Sequence, residues 1–471
     1  MALADTLAAW LPAQRWYPGT TPPRDLAITS DITLVSGDPE LRHLIVTVTD
    51  ARHGGQARYQ VLAGIGSRLP GTLAGQAPVI GPAGCGRVAY DALYDRMFTA
   101  ILLRGIAGQR STGPLRFAAF PGASIAADCH GSVLSAEQTN TSVVFGRSAI
   151  LKVLRRVVPG PSPDLEVTRA LAQRGSPHVA EPLGWIEMAG QPGPEGTAGG
   201  SEPTVLAVLS RYLRSDGDGW SLALRSLDEA ARAAHGPGAA GGGFAAEARR
   251  LGAATARVHA DLAAVFGTRQ MTAAQVAELA RQMSARLDAA LREVAGLAAH
   301  SDRIRARFRA LADLGQPLPV QRVHGDYHLG QVLHAPAREA GPGRNGEGTW
   351  VLLDFEGEPG VPLEQRRAPA PALRDVAGML RSFDYAAQHA LRHRPGGGPD
   401  DPALSAPALA WARGAREAFC SGYVDAGGLD PAAHPAVLRA LILDKAVYEA
   451  VYEARHRPSW LPIPMEAIAA A

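Results

Sequence analysis

Segments of alternating apolar and polar residues come first in the chain, and segments of helical spacing dominate its second half. His43-Leu-Ile-Val-Thr-Val-Thr49 alternates over most of its length and is rich in β-branched residues, which predicts a half-buried strand. Asp31-Ile-Thr-Leu-Val35 precedes it, and Arg58-Tyr-Gln-Val-Leu62 is its expected partner. With a short helix over Asp5–Leu11 that stops at Pro12, residues 1–88 are expected to form a mainly β N-terminal cap. Gly64-Ile-Gly66 and Gly84-Cys-Gly86 read as turns, because neither has the third glycine and helix start of a nucleotide loop. From Val88 to Phe117 the pattern turns helical, with Leu93, Met97, Ile101 and Leu102 at suitable spacings. Strands follow at Thr141–Phe145, Ala149–Leu154 and Thr204–Leu209, so residues 89–209 are expected to hold an intermediate helix and a second sheet. Beyond about residue 210 the spacing is helical and alanine-rich, over 221–234, 244–266, 273–294, 302–314, 372–385, 404–426 and 433–457. Glycine- and proline-rich stretches at 188–203, 336–348 and 394–402 read as loops. The fold class expected is α+β, with a largely α-helical C-terminal lobe over 210–471.

Composition narrows the classes of function. A chain of 471 residues with 46% apolar and 20% charged residues is long enough for two or three domains of ordinary globular type. A formal charge of +2, with arginines scattered along helices, implies neither a nucleic-acid partner nor a membrane surface. The three cysteines, Cys85, Cys129 and Cys420, are widely spaced and form no Cys-x-x-Cys pair, which points to a reducing compartment and away from structural zinc. The N-terminus has no basic region followed by an apolar core, and no run of about 18 apolar residues occurs. A cytoplasmic, soluble protein is expected.

Chemistry concentrates in Gln321-Arg-Val-His324-Gly-Asp326-Tyr-His328-Leu-Gly-Gln331-Val and its sequel Leu352-Leu-Asp354-Phe-Glu356-Gly-Glu358-Pro. Asp326 and Gln331 stand five positions apart, the register of the Asp and the amide in the protein-kinase catalytic loop. Asp354 ends the apolar run Trp350-Val-Leu-Leu353, which reads as a strand. ATP-dependent phosphoryl transfer needs one Asp to orient the acceptor hydroxyl, and an amide plus a second Asp to hold magnesium. Upstream, Lys152 sits inside the apolar strand Ile150–Leu154, where a charge is costly unless paired. A helix then starts with Ser162 as N-cap, Pro163 and Asp164 in its first turn and Glu166 beyond, and Gly175 closes it. A strand lysine paired with a carboxylate on the next helix is the arrangement that steadies ATP phosphates. By itself Lys152 also suits the solvent face of an edge strand, with Glu166 answering the helix dipole. Lys152 and Lys445 are the two lysines of a chain that otherwise uses arginine, which favours a functional role.

The polar stretch with Gln138, Thr139 and Asn140 stands where a glycine-rich loop would lie, although it has no glycine. Ser210–Trp220 leaves the buried strand as a candidate adenine-binding hinge or a plain surface loop. On the last helix Asp444, Tyr448, Tyr452 and Arg455 share one face, and Lys445, Glu449 and Glu453 share the next. Tyrosines beside charged groups suit a sugar, while a solvated face with i,i+4 ion pairs fits the same spacing.

These motifs resemble the aminoglycoside-phosphotransferase-like kinases, and specifically the actinobacterial maltokinases. Trp10-Leu-Pro-x-Gln-Arg-Trp16, Glu137-Gln138, Leu151-Lys-Val153, Pro163-Asp-Leu-Glu166, Arg374–Tyr385 and Asp444-Lys-Ala-Val-Tyr-Glu449 with Tyr452–Arg455 carry the likeness from Trp10 to Pro464. The resemblance implies a bilobal protein-kinase-like fold with an N-terminal cap, and phosphorylation of maltose by ATP at its anomeric hydroxyl. The product, maltose 1-phosphate, then feeds α-glucan synthesis alongside trehalose synthase, a possible partner. It implies Asp326 as catalytic base, Gln331 and Asp354 as magnesium ligands, and Lys152 with Glu166 on the ATP phosphates. His328, Arg374, Lys445, Tyr448 and Glu449 are the implied sugar contacts, and Glu356 is either a further metal or phosphate contact or an acidic loop residue. The family motif continues with a lysine where this chain has Thr20, so no role of the cap in closing over nucleotide is implied. Another sugar such as glucosamine, or a non-catalytic partner of trehalose synthase on the same fold, are the alternatives.

Overall fold

The computed structural model describes residues 3–49, 55–73, 78–134, 139–190, 202–233, 243–336, 348–358, 361–393 and 402–470. The chain divides into one unit of residues 1–166 with 180–213 and another of 167–179 with 214–471. The first is built on two antiparallel sheets and the second is largely helical, as the periodicity predicts.

In the first unit the strands Leu26–Val35, Glu40–Thr49 and Gln56–Gly66 run as a meander, with Arg87–Asp91 and Val79–Gly84 beyond them. Residues 88–91 are thus strand where the spacing predicts a helix. Asp91 and Asp95 explain the difference. Each caps a new turn, through the Leu93 and Met97 N–H groups at 3.2 and 2.8 Å, so the helix begins only at Arg96 and runs to Ala107. Leu115–Ala119, which begins inside the expected helix, pairs with Pro182–Met188 after a turn at Gly113. Gly64 and Gly66 are strand residues and not a turn. A Cβ on Gly64 would lie 2.3 Å from Cζ of the fully buried Tyr90 ring, which accounts for the glycine.

The second sheet runs in the order 111–112, 115–119, 182–188, 204–211, 149–153, 141–145 and 131–133. The helix Arg96–Ala107 buries Phe98, Leu102, Leu103 and Ile106 against it. Arg156–Val157 leave this sheet and pair with Arg58–Tyr59 of the other. Gln60 fastens the junction, its amide donating to the carbonyls of Leu154 and Leu206, both at 2.5 Å.

The second unit is a helical body around one apolar core. Its helices Gly243–Phe266 and Pro402–Asp425 cross backbone to backbone. A Cβ on Gly252 would meet the Phe419 carbonyl at 2.0 Å, and one on Gly422 the Arg249 carbonyl at 1.9 Å. Two short ribbons, 268–271 with 318–321 and 332–335 with 349–352, lead the chain into and out of the candidate site. Among the described residues no helix is long and apolar enough to cross a membrane. Gly422→Ala is expected to lower stability by about 1–3 kcal/mol through overpacking. A urea midpoint equal to that of the parent would show that these helices separate without cost.

Candidate active site

The loop between the strand Leu318–Gln321 and Val332 is held from behind by one helix, Leu373–His393. Asp375, 1% exposed, accepts the backbone N–H of His324 at 2.8 Å and that of Gly325 at 2.9 Å. Its Oδ2 also accepts from His259 Nε2 at 2.9 Å, and the other ring nitrogen of His259 meets the Tyr423 hydroxyl at 2.8 Å. Burial raises the Asp375 carboxyl, but His259, His324 and the Gly325 amide outweigh it and hold the group below its ordinary value. One and two turns further along, Gly378 lets the helix approach the loop and Ser382 accepts the Leu329 N–H at 3.0 Å. A Cβ on Gly378 would lie 2.5 Å from the Tyr327 carbonyl. His324 Nε2 donates to the Leu353 carbonyl at 2.8 Å, which ties the loop to the segment carrying Asp354.

Asp326, thus placed, meets Lys445 from the helix Pro435–His456. Lys445 Nζ donates to Asp326 Oδ1 at 2.9 Å and to Glu358 Oε1 at 3.0 Å, and lies 4.7 Å from the Tyr448 ring centre. Arg374 approaches the other oxygen of Glu358 at 3.3 Å. Burial alone would push the Asp326 carboxyl up; Lys445, then His328, more than offset it, and the group stands at about 2. Burial likewise lowers Lys445, and Asp326 and Glu358 reverse that, leaving it raised and cationic. Burial lowers the His328 imidazole against the pull of Asp326, and its Nδ1 accepts the Gly330 N–H at 3.1 Å. Lys445, Arg374 and Tyr448 therefore gather at Asp326 or its partner Glu358. Glu449 is bound through Oε2 to Arg381, at 3.1 and 2.6 Å, so that oxygen is committed to a tie between helices.

On the other side of the loop, Gln331 Nε2 donates to Asp354 Oδ2 at 3.3 Å, which leaves the amide oxygen as its ligand atom. Carboxylate oxygens of Asp354 and Glu356 lie within 4.8 Å of one another. Asp354 adopts φ +64°, a left-handed conformation that is uncommon for a residue with a side chain. Two carboxylates and an amide oxygen form a hard-oxygen donor set, so these residues fit magnesium.

In the first unit, Lys152 lies on the strand Ala149–Val153 with Nζ 3.8 Å from Asp164 Oδ2, both largely buried. Asp164 and Glu166 stand in the first turn of Pro163–Gln173, which Ser162 caps through the Leu165 N–H at 3.3 Å. Asp164, two residues before the Glu166 expected from sequence, is thus a partner of Lys152. Thr139 is exposed, and Asn140 Oδ1 accepts the Arg155 N–H at 3.3 Å. Gln138 lies outside the described residues.

Asp375, His259, Glu358 and Arg381 were not singled out by sequence reasoning. Asp375 and Glu358 stand inside motifs quoted above, but nothing local distinguishes an acid that braces a loop from one that answers a helix dipole. His259 lies in an alanine-rich helix with no signal at all.

Asp326 at about 2, against about 3.9 for a free aspartate, fixes a pH window. A carboxyl held low stabilises the fold fully above the unfolded value, and that stabilisation fades as pH falls from about 4 towards 2. Lys445→Met should therefore cost about 3–5 kcal/mol near pH 7, where it strands a buried carboxylate, and much less near pH 2.5. Urea unfolding of parent and variant at both pH values checks this; a pH-independent difference would contradict it.

The model of the maltokinase N-terminal cap domain matches residues 10–95. A glucosamine kinase of Streptacidiphilus jiangxiensis is 32% identical over 362 residues, 74% of each chain. Another, of Mycolicibacterium smegmatis, is 31% identical over 348 residues, 72% of this chain and 78% of the relative. Among solved structures, a glucosamine kinase in complex with glucosamine, ADP and inorganic phosphate matches at TM-score 0.64 and 26% identity, covering 99% of this chain and 98% of that one. A second crystal form of glucosamine kinase matches at TM-score 0.67 and 27% identity, with the same coverage. The fold is therefore that of the glucosamine kinases over nearly the whole chain, and the chain belongs to their family of kinases, with a maltokinase-type N-terminal cap domain.

Proposed function

We propose that the chain transfers the γ-phosphoryl group of ATP to a sugar hydroxyl, with Asp326 as the group that orients the hydroxyl and receives its proton. The observation that carries this reading is the ionised Asp326 on a loop pinned by Asp375, beside the Gln331–Asp354 pair. ADP in the related glucosamine kinase structure supports ATP as donor. The hydroxyl oxygen forms a bond to the γ-phosphorus, the bond to the bridging oxygen breaks, ADP leaves, and the hydroxyl proton passes to Asp326. A carboxylate at about 2 is a weak base, so it takes the proton late, after the new O–P bond has made the hydroxyl acidic. Lys445, shared with Glu358, keeps Asp326 ionised and in place. Lys152 with Asp164 and Glu166 would steady the nucleotide phosphates, with Thr139 and Asn140 nearby in the same unit. Gln331, Asp354 and Glu356 would hold magnesium, whose chemistry is to neutralise charge building on the phosphates.

Maltose is the acceptor we put first, phosphorylated at its anomeric hydroxyl to maltose 1-phosphate, a precursor for α-glucan synthesis with trehalose synthase as a possible partner. Support comes from the cap match and the Tyr448–Glu449 and Tyr452–Glu453 helix. The charge of the site also suits a neutral sugar. Asp326 and both oxygens of Glu358 already face cations, which leaves a protonated amine no uncompensated carboxylate among them. Glucosamine is the second reading, favoured by the names of the two relatives.

A sugar panel with ATP and magnesium, followed by location of the phosphate on the product, separates these readings. Asp326→Asn is expected to lower turnover by about 10²–10⁴-fold while ADP still binds. Turnover within tenfold of the parent would remove Asp326 from its role. Tyr448→Ala should raise the sugar KM about tenfold and leave that for ATP alone; an unchanged sugar KM would take the last helix out of the acceptor site.

A further inference from the structure

Two helices of the second unit are joined by matched polar rungs. On Leu373–His393, Arg381 and Tyr385 stand four residues apart, and on Pro435–His456 so do Glu449 and Glu453. Arg381 gives Nε and Nη2 to Glu449 Oε2 at 3.1 and 2.6 Å, and the Tyr385 hydroxyl donates to Glu453 Oε1 at 2.6 Å. Both rungs join residues 68 apart in sequence, so the helices run parallel and in step. Arg457 holds Glu453 as well, at 2.9 and 2.7 Å. One rung back from Glu449 stands Lys445. One rung back from Arg381 stand Ala377 and Gly378, and there the Tyr327 carbonyl packs, next to Asp326.

Arg381 is 1% exposed; burial works against its charge, and Glu449 and then Asp384 more than offset that. A buried ion pair is a poor source of stability, because apolar residues of similar volume often do as well or better. What it can supply is register. The buried residues beside these rungs, Ala446, Val447 and Ala450, are small, and apolar contact has no direction, so it resists a slide along the axis only weakly. A slide of one residue is about 1.5 Å. Lys445 has bonds of 2.9 Å to Asp326 and 3.0 Å to Glu358 to keep at once, and a shift of that size is enough to break one of them.

We infer that Arg381 and Tyr385 are positioning residues for Lys445: through Glu449 and Glu453 they hold its helix in the register at which one ammonium reaches both Asp326 and Glu358. This rests on the proposed roles of Asp326 and Lys445. One helix then governs both sides of the reacting group, the loop through Asp375 and Ser382 and the lysine through Arg381 and Tyr385.

The test uses the full chain with Arg381→Met plus Glu449→Leu as an apolar pair, with Arg381→Lys, with Tyr385→Phe, and with Lys445→Met alone and added to each. Turnover, separate KM values for ATP and sugar, and the thermal midpoint are read on all of them. The apolar pair is expected to melt close to the parent yet lose turnover about tenfold, with the ATP KM within about twofold. Arg381→Lys keeps a cation facing Glu449 and should stay within about threefold of the parent. Tyr385→Phe loses one hydroxyl and keeps the ring, and should lower turnover about threefold. On the Lys445→Met background the apolar pair and Tyr385→Phe should each cost less than about twofold, because the group they place is gone. Parent-like turnover in the apolar pair, losses that multiply with that of Lys445→Met, or a rise in the sugar KM alone overturns the inference. So does a midpoint far below the parent's, which makes the pair a staple of the fold. If Lys445→Met itself keeps the parent's turnover, the reading of Lys445 beside Asp326 falls and the inference with it. If Lys445→Met loses turnover while the apolar pair does not, the register alone is overturned.

Discussion

The candidate site depends on one buried carboxylate. Asp375 accepts two successive amides of the loop that carries Asp326, and a third bond from His259. An isolated buried carboxylate is expensive, and one that accepts several aligned donors is stabilised in its charged form. The loop needs that support because its own conformation is costly. Gly325 has φ +86°, and across from it Asp354 and Gly357 have φ +64° and +71°. A Cβ on Gly325 would lie 3.4 Å from the Gly357 Cα, so the two left-handed bends meet where backbones touch. The helix behind can hold them only because Gly378 leaves room for the Tyr327 carbonyl.

The two lysines work by the same balance of charge. Lys445 faces two carboxylates where burial alone would favour the neutral amine, and Lys152, largely buried, faces at least one. A compact ammonium on a flexible stem can sit between Asp326 and Glu358 with one donor to each, a geometry that the wider guanidinium fork does not match. Arginine serves elsewhere as a rigid tie: Arg381 to Glu449, Arg286 to Asp444 and Arg455 to Glu293 all make two bonds to one carboxylate. The chain thus keeps lysine for charge that must be shared, and arginine for charge that must be fixed.

That division explains how much of the site was legible in the sequence. Asp326, Gln331 and Asp354 were legible because their spacing is local: loop register and strand end mark them in the sequence, although Asp375 holds the loop in place. Lys152 was legible because a lone lysine in an apolar strand demands a partner, although sequence named Glu166 and passed over Asp164 two residues earlier. Asp375 and His259 were not legible. They act across 51 and 116 residues of sequence separation, and an acid in the first turn of a helix looks the same whether it braces a loop or answers a dipole. The fold failed to read out for a similar reason at 88–91, where pairing with Gly64–Gly66 outweighs a helical spacing that continues to Ile101.

The cap is tied to its neighbour by contacts that local reading does not show. Sequence periodicity marks residues 1–88 as a separate small sheet, yet its core-facing polar groups are addressed to the neighbouring sheet. Gln60 spends both amide hydrogens on the carbonyls of Leu154 and Leu206, so its oxygen must accept, and His43 Nε2, 3.1 Å away, must carry the proton. Burial takes His43 down to about 4, which keeps the ring neutral in that role. Arg156 and Val157 then add a strand to the cap sheet directly after the strand of Lys152. A removable domain would leave these buried donors and acceptors unsatisfied at its boundary, at a cost of about 1–3 kcal/mol for each. The two sheets are therefore joined through buried hydrogen bonds and a shared strand pairing that lie directly after the strand holding Lys152.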